Sequence, residues 1–291
     1  MLHYADTYYA STDGLRLYAR DYTGPRAEAP VLLCLPGLTR NSKDFDGLAE
    51  HLSAHYRVLC PDLRGRGRSA RDPDHDHYRP DVYAGDIFGL LDALGIGAFG
   101  VIGTSLGALM AIGMNALAPL RVTRVVLNDA GPELDPRGLA RIAAYVGKPA
   151  TSMSSWAEAA QRMAENYGAC YPDFTPADWV AYARVSCYRD VDGIVRFDYD
   201  PGIARGLANG SATPDLWPVF DLLAGKPALV LRGEISDLLA EATVAKMCAR
   251  LPNLRAATIP THGHAPTLDE PAARAAIDEF LRATDAPADR V

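Results

Sequence analysis

Ser105 is the residue whose surroundings in the sequence point most clearly to chemistry. It lies between Gly103 and Gly107 in a G-x-S-x-G pattern, after an apolar run at residues 100–104 and before a helical pattern at residues 106–117. A serine at such a sharp strand-to-helix turn exposes its hydroxyl, and the flanking glycines relieve steric clashes around the turn. The N-terminus of the following helix favours negative charge that develops nearby. The pattern therefore predicts that Ser105 is a nucleophile.

The elements that would position this serine alternate in type along the first 129 residues. Apolar runs at residues 31–35 and 100–104 are hydrophobic on both alternating faces, which is typical of central strands covered by helices on each side. Strands are predicted at residues 8–11, 15–22, 31–35, 58–61, 100–104 and 122–128, with helices at 42–55, 81–94 and 106–117. This alternation predicts an α/β fold.

The pattern changes between residues 132 and 218 and then returns. Aromatic residues are frequent in this segment, and its periodicity is helical, at residues 156–167 and 176–187. Further strands are predicted at residues 228–232 and 256–259, with helices at 239–250 and 270–283. We therefore predict an α/β core made of residues 1–131 and 219–291, interrupted by a helical cap at residues 132–218.

The composition excludes several classes of protein. Hydrophobic residues make up 48% of the 291 residues and charged residues 22%, close to the average of soluble globular proteins. The net charge of −7 would repel phosphate backbones and anionic lipid, so we expect no nucleic-acid or membrane partner. The five cysteines include no C-x-x-C pair, which argues against a disulfide framework and a zinc site. Because the sequence shows no signal-peptide segment and no apolar stretch of about 18 residues, we expect a cytoplasmic protein.

Together with the serine segment, further landmarks resemble the α/β-hydrolase family. Pro36-Gly37-Leu38 follows the third predicted strand, and residues 62–69 (DLRGRGRS) resemble the family's D-x-R-G-x-G-x-S turn. Residues 232–237 (RGEISD) and 263–266 (GHAP) follow the seventh and the last predicted strands. The sequence departs from the family at Pro36 and Arg66, where histidine is usual or common, and neither position is expected to carry the chemistry. The resemblance implies a mostly parallel eight-stranded sheet flanked by helices, with the cap inserted after the sixth strand.

The resemblance also implies a catalytic triad in the chain order serine, acid, histidine. Of the seven histidines, His262 and His264 follow the last predicted strand, and His264 follows a glycine as in the family pattern. We expect His264 to be the base that takes the serine proton, with His262 at the rim of the site. Asp237, after the seventh strand, is at the commoner position for the acid and is favoured, and Asp129, after the sixth strand, is the alternative. Asp129 also has a plainer interpretation, as an acceptor that ties down the entry to the cap.

The tetrahedral intermediate of such a reaction needs two backbone N–H donors. By resemblance, these come from Leu106, just after the nucleophile, and from Leu38, just after Gly37. No metal ion and no organic cofactor is required by this chemistry.

Two other patterns imitate cofactor sites. Residues 95–100 match G-x-G-x-x-G, but they end a predicted helix and lead into a strand, whereas a dinucleotide-binding turn follows a strand and opens a helix. Residues 72–77 (DPDHDH) imitate a metal site, but their short spacing in a polar loop favours a solvated charge cluster. We therefore predict neither a bound nucleotide nor a metal.

These residues and the resemblance predict a serine hydrolase that cleaves a carboxylic ester or lactone of a small to medium molecule through an acyl-enzyme. One alternative keeps the triad but breaks a carbon–carbon bond next to a ketone, with Arg40 and Arg184 as candidates to bind a substrate carboxylate. Further alternatives are acyl transfer to an alcohol and a catalytically silent, ligand-binding member of the family. The sequence leaves the oligomeric state open.

Overall fold

The computed structural model describes residues 4–146, 152–205 and 215–285, and its centre is an eight-stranded sheet. The strands lie in the order β1 (Ala5–Ala10), β2 (Arg16–Tyr22), β4 (Arg57–Asp62), β3 (Val31–Leu35), β5 (Phe99–Thr104), β6 (Val122–Asn128), β9 (Ala228–Gly233) and β10 (Leu254–Ile259). The pairs β1–β2 and β2–β4 are antiparallel, and all later neighbours are parallel. The carboxyl ends of the parallel strands therefore meet at one edge of the sheet, where ligand sites of such folds lie.

Both faces of the sheet are covered by helices. The side chains of each strand alternate between the two faces and so pack into two hydrophobic layers. Leu33 and Leu35 of β3 pack into one hydrophobic layer, and Leu32 and Cys34 pack into the other. The first layer is completed by α2 (Pro80–Ala93), α3 (Leu106–Leu117) and α8 (Glu241–Arg250), and the second by α1 (Asp46–Leu52) and α9 (Pro271–Asp285). These layers hold the strand ends, and the turns that follow them, in fixed positions.

Residues 132–218 add helices and a small hairpin outside this sheet. The described elements are α4 (Pro136–Tyr145), α5 (Trp156–Tyr167), α6 (Pro176–Ser186), the antiparallel strands β7 (Cys187–Arg189) and β8 (Val195–Phe197), a 3₁₀ turn (Pro201–Ala204) and the start of α7 (Trp217–Phe220). The segment has an aromatic core of its own that includes Tyr171 and Trp179. An ion pair of 2.8 Å between Lys43 Nζ and Asp198 Oδ2 ties it to the rest of the molecule.

The predicted architecture, an eight-stranded and mostly parallel sheet with helices on both faces, is confirmed. The helix predicted at residues 42–55 is divided into a 3₁₀ turn, Ser42–Phe45, and the shorter α1, and Phe45 at the junction has φ −101° and ψ 2°, outside the α-helical region. The Asn41 side chain caps the start of the turn by accepting from the N–H of Lys43. The β7–β8 hairpin was not predicted, since strands of three residues are too short to show a period of two. Among the described residues, no helix is long and apolar enough to cross a membrane.

Candidate active site

Ser105 lies at the turn between β5 and α3, in a backbone conformation that L-amino acids rarely adopt. Its φ is 55° and its ψ is −114°. A Cβ on Gly103 would lie 2.2 Å from the carbonyl oxygen of Gly107, and a Cβ on Gly107 would lie 2.1 Å from that of Leu35, so the turn requires glycine on both sides. Strain of this kind persists where the surrounding structure enforces it, often at functional sites. The turn thereby presents the Ser105 hydroxyl at the carboxyl edge of the sheet.

Two hydrogen bonds connect Ser105 to a histidine and a carboxylate. The Ser105 hydroxyl lies 2.8 Å from Nε2 of His264, and Nδ1 of the same ring lies 2.9 Å from Oδ2 of Asp129. Because a carboxylate can only accept, Nδ1 carries the hydrogen and Nε2 offers its lone pair to the serine hydroxyl. The arrangement can therefore take the proton from Ser105 as its oxygen attacks an electrophile.

The carboxylate of Asp129 is fully buried and fully hydrogen-bonded. Asp129 follows β6 directly, with a φ of 55°, and its side chain points to the loop after β10 that carries His264. The N–H of Gly233 donates to Oδ1 at 2.8 Å, and the hydroxyl of Ser236 donates to Oδ2 at 2.6 Å. A buried carboxylate without such donors would be strongly unfavourable. These contacts fix the carboxylate that orients the histidine ring.

The structure places the alternative acid, Asp129, beside His264 and gives the favoured acid, Asp237, a different partner. Asp237, the favoured residue, accepts hydrogen bonds from Arg141 in α4, at 2.6 Å from Nε and 2.7 Å from Nη2, whereas the alternative, Asp129, contacts His264. Burial raises the pKa of Asp237, but the hydrogen bonds and charge of Arg141, together with smaller contributions from His264 and the backbone, bring this pKa below its ordinary value. The physical reason is position along the chain. Asp129 comes straight after its strand, while Asp237 lies beyond the turn that follows β9, and Ser236 occupies the place beside Asp129.

Sequence reasoning missed Ser236 and Arg141. Ser236 directly precedes Asp237 in the sequence, so a hydroxyl next to the expected acid was a usable signal. Arg141 precedes its partner by 96 residues, and no local pattern connects the two. Their pairing depends on how α4 folds back onto the loop after β9.

Two backbone N–H groups beside Ser105 have no acceptor among the described residues. Leu106 is the first residue of α3, so its N–H has no partner within the helix. Leu38 follows Gly37, and a Cβ added to Gly37 would lie 3.7 Å from Cβ of Ser105, so this segment passes close to the serine. The N–H of Leu38 donates to no acceptor in the described part of the chain. Both amides are therefore free to bind an oxygen near the serine, as the resemblance implied for an oxyanion hole.

A cavity of about 480 Å³ adjoins Ser105 and His264. Phe45 lines it from the core, and the other aromatic walls come from residues 132–218, namely Tyr145, Tyr167, Tyr171, Phe174 and Tyr182. Burial raises the pKa of Tyr167 and Tyr171 above the ordinary value, so these hydroxyls stay neutral. The volume and the apolar, aromatic walls suit a small organic molecule.

The basic side chains that line this cavity are already paired. Arg40 Nη2 lies 2.6 Å from Oδ1 of Asp44, and its guanidinium also stacks on the ring of Tyr182 at 4.4 Å. Lys43 pairs with Asp198, as described above. Arg184, the other arginine considered for a substrate carboxylate, lies over the ring of Trp156 at 5.0 Å. The cavity thus offers little unpaired positive charge among the described residues.

Residues 132–218 also hold the loop that carries His264. The Tyr171 hydroxyl donates to the carbonyl of Ala265 at 2.7 Å, and the N–H of Gly263 donates to the carbonyl of Cys170 at 2.7 Å. His262 lines the cavity, with Nδ1 2.9 Å from the carbonyl oxygen of Pro260. The histidine loop is therefore fastened on both sides of His264.

The polar segment 72–77 contributes to an ion-pair cluster. Asp13, Asp72 and His77 bring potential ligand atoms within 4.8 Å of one another. Asp13 and Asp72, however, both pair with the guanidinium of Arg64. A cation of the protein itself therefore already balances these carboxylates.

Comparisons with known proteins agree with this fold. A family model described as alpha/beta hydrolase fold matches residues 30–271. The chain is similar to a 3-hydroxybutyrate-oligomer hydrolase of Cupriavidus necator, with 36% identity over 93% of this chain and 94% of the relative. It is similar to a 2-(acetamidomethylene)succinate hydrolase of Mesorhizobium japonicum, with 30% identity over 82% of this chain and 83% of the relative. A crystal structure of an alpha/beta hydrolase from Novosphingobium aromaticivorans has a TM-score of 0.92 and 45% identity, covering 97% of this chain and 99% of that one.

Proposed function

Since the chain belongs to the α/β-hydrolase family, we propose that this enzyme is a serine hydrolase that cleaves a carboxylic ester through an acyl-enzyme. The observation that carries the proposal is the hydrogen-bonded series from Ser105 through His264 to Asp129, with distances of 2.8 and 2.9 Å. A serine hydroxyl is a weak nucleophile at neutral pH unless a base accepts its proton, and the base needs a carboxylate that orients and stabilises its charged form. The three side chains meet these requirements.

In the proposed acylation, Ser105 Oγ attacks the carbonyl carbon of the ester while its proton passes to Nε2 of His264. Asp129 stabilises the imidazolium that forms. His264 then gives the proton to the oxygen of the leaving alcohol, the C–O bond breaks, and the acyl group remains on Ser105. In deacylation, a water molecule gives a proton to His264 and attacks the acyl carbon, and His264 returns the proton to Ser105 as the carboxylic acid leaves.

The backbone N–H groups of Leu38 and Leu106 are proposed to bind the carbonyl oxygen as it becomes negative. Removing one such donor costs about 3 kcal/mol of transition-state stabilisation in other enzymes. The N-terminus of α3 adds a favourable field at the same place. Residues 132–218 are proposed to act as a cap, because they supply most of the aromatic walls of the cavity beside the serine.

Esters of short hydroxy acids, open or cyclised as lactones, are the proposed substrate class. The relative that aligns over 93% of this chain is named for 3-hydroxybutyrate oligomers, whose units are joined by ester bonds. A cavity of about 480 Å³ accommodates small acyl units of this kind. The other relative is named for a substituted succinate, which carries two carboxylates. The pairing of Arg40 with Asp44 and of Lys43 with Asp198 makes this cavity less suited to a dianion.

The test is a set of initial hydrolysis rates on p-nitrophenyl esters from acetate to decanoate and on 3-hydroxybutyrate dimers. We expect turnover that falls by about 1,000-fold or more in Ser105→Ala, because the nucleophile is lost. Ser53→Ala is the matched control, since that hydroxyl donates only to the carbonyl of Glu50 among the described residues, and its activity should be unchanged. Ester hydrolysis that survives in Ser105→Ala would refute the proposal. Turnover of a ring-fission ketone with esters untouched would replace it with carbon–carbon bond hydrolysis.

A further inference from the structure

Arg66 is a deeply buried arginine whose charge forms no ion pair with the described residues. Its side chain lies in the turn after β4 and is 1% exposed. Nε donates to the carbonyl of Leu38 at 2.9 Å, and Nη1 donates to the carbonyl of Arg64 at 2.7 Å and to the hydroxyl of Tyr83 at 3.0 Å. Nη2 is buried without an acceptor in the described part of the chain. Arg64 is equally buried, but it pairs with Asp13, Asp72 and Asp86.

Keeping an unmatched guanidinium in this position is unfavourable. Burial removes the charge from water, and no carboxylate of the described residues forms an ion pair with it. The rings of Tyr83 and Tyr78, at 4.9 and 5.6 Å from Cζ, recover part of it by cation–π attraction. A neutral side chain of similar length would fill the same space without the penalty. Departures from the usual rules of burial are expected where they serve a function.

The hydrogen bond to Leu38 connects this charge with the reaction site. Leu38 supplies one of the two proposed N–H donors, and its carbonyl accepts from Arg66. Two rotatable bonds separate the N–H and the carbonyl of one residue, so fixing the carbonyl restricts the direction of the N–H. The N–H of Leu38 shares a peptide plane with the carbonyl of Gly37, which accepts from the N–H of Arg40 at 3.1 Å, so Arg66 fixes this segment from its other end.

We infer that Arg66 is a positioning residue for the hydrolysis, which holds Leu38 in the conformation that binds the negative oxygen and places a positive charge behind it. The inference rests on the proposed function. The carbonyl oxygen is neutral in the bound ester and negative in the tetrahedral intermediate. A fixed positive charge in surroundings poor in water therefore stabilises the intermediate more than the substrate. Arg66, which stands where histidine is common in the family, thereby has a role in the reaction.

The test replaces the charge by a neutral chain of similar length, Arg66→Met. The first readouts are kcat and KM for p-nitrophenyl butyrate, with kcat expressed per active site titrated with a fluorophosphonate. The second is the inhibition constant of phenylboronic acid, which forms a tetrahedral anion on serine. We expect kcat to fall by about 30-fold, KM to change by less than about threefold, and the inhibition constant to rise by about the factor that kcat loses. Arg66→Lys restores a positive charge without the guanidinium fork and should recover part of the kcat that Arg66→Met loses.

Tyr83→Phe is the matched control, because it removes one acceptor from Arg66 and leaves both the charge and the bond to Leu38. Its kcat should stay within about twofold of the native value. If Arg66 has a purely structural role, Arg66→Met should have a lower melting temperature and an unchanged kcat per titrated site. That result would overturn the inference. If Arg66→Met does not fold, Arg66→Gln is measured in the same way, and an unchanged kcat there has the same meaning. An active Ser105→Ala protein would instead refute the proposed function, whatever Arg66 does.

Discussion

Asp129 and Asp237 both lie at the carboxyl edge of the sheet, yet they have different partners. Asp129 accepts from His264, Ser236 and the N–H of Gly233, and its carboxylate is fully buried. Asp237 is held by Arg141 in α4. The orientation of a histidine ring requires a carboxylate at Nδ1, so we expect substitutions of the two aspartates to have different effects on activity.

Substitution by asparagine at each position measures these effects separately. Asp129→Asn should lower kcat for p-nitrophenyl butyrate by about 1,000-fold or more, because the amide cannot stabilise the imidazolium and favours the wrong tautomer. Asp237→Asn keeps the size of the side chain and disturbs only the pair with Arg141, so we expect kcat within about tenfold of the native value. The comparison uses steady-state rates on protein of verified fold. The reverse order of losses would return the role of the acid to Asp237.

At the scale of elements, the turn between β5 and α3 depends on how closely three backbone segments approach one another. A Cβ on Gly107 would lie 2.1 Å from the carbonyl oxygen of Leu35 at the end of β3. Gly113 is in the same helix and has nothing within 4 Å of the position of its Cβ. Identical substitutions at these two glycines therefore test packing and helix propensity separately.

Gly107→Ala should lower the free energy of unfolding by about 3 kcal/mol or more, because backbone atoms of β3 cannot move aside, and it should abolish activity. Gly113→Ala should raise the free energy of unfolding by up to about 1 kcal/mol, since alanine is the better helix former, and leave activity unchanged. Urea unfolding and ester hydrolysis measure both quantities. Equal effects of the two substitutions would contradict the close approach of α3 to β3.

A feature could be predicted from the sequence where its cause lies in neighbouring residues, and not where its cause lies far away in the chain. The bounds of β3, β6 and α3 agree with the prediction, because each is a run of mostly apolar residues with clear stop signals beside it in the sequence. Ser105 and His264 were predicted from local motifs, and the structure brings them within 2.8 Å. The partner of His264 could not be chosen locally, since it depends on the pairing of β6 with β9 and on the turn that places Ser236 beside Asp129.

At the scale of the whole molecule, the buried Arg64 joins stretches that are far apart in sequence. Its guanidinium pairs with Asp13 between β1 and β2, with Asp72 in the polar segment and with Asp86 in α2. Hydrogen bonds from Arg64 lower the pKa of Asp13 to about 2, whereas burial raises that of Asp86. An unfolded aspartate titrates near pH 3.9. The contribution of Asp13 to stability is therefore present above about pH 4 and is lost as the pH falls toward 2.

Arg64→Met should lower the free energy of unfolding by about 3–5 kcal/mol at pH 7, because it leaves buried carboxylates without their cation. In this variant the pKa of Asp86, which burial already raises, would lose the lowering by Arg64 and rise further, so protonation relieves the penalty as the pH falls. The difference from the native protein in urea unfolding should accordingly be smaller at pH 4.5 than at pH 7. Arg79→Met is the control, since Arg79 and its partner Asp81 are 59% and 65% exposed, and it should change stability by less than about 0.5 kcal/mol at either pH. A loss in Arg64→Met that is the same at both pH values would show that lost packing, rather than unpaired charge, causes it.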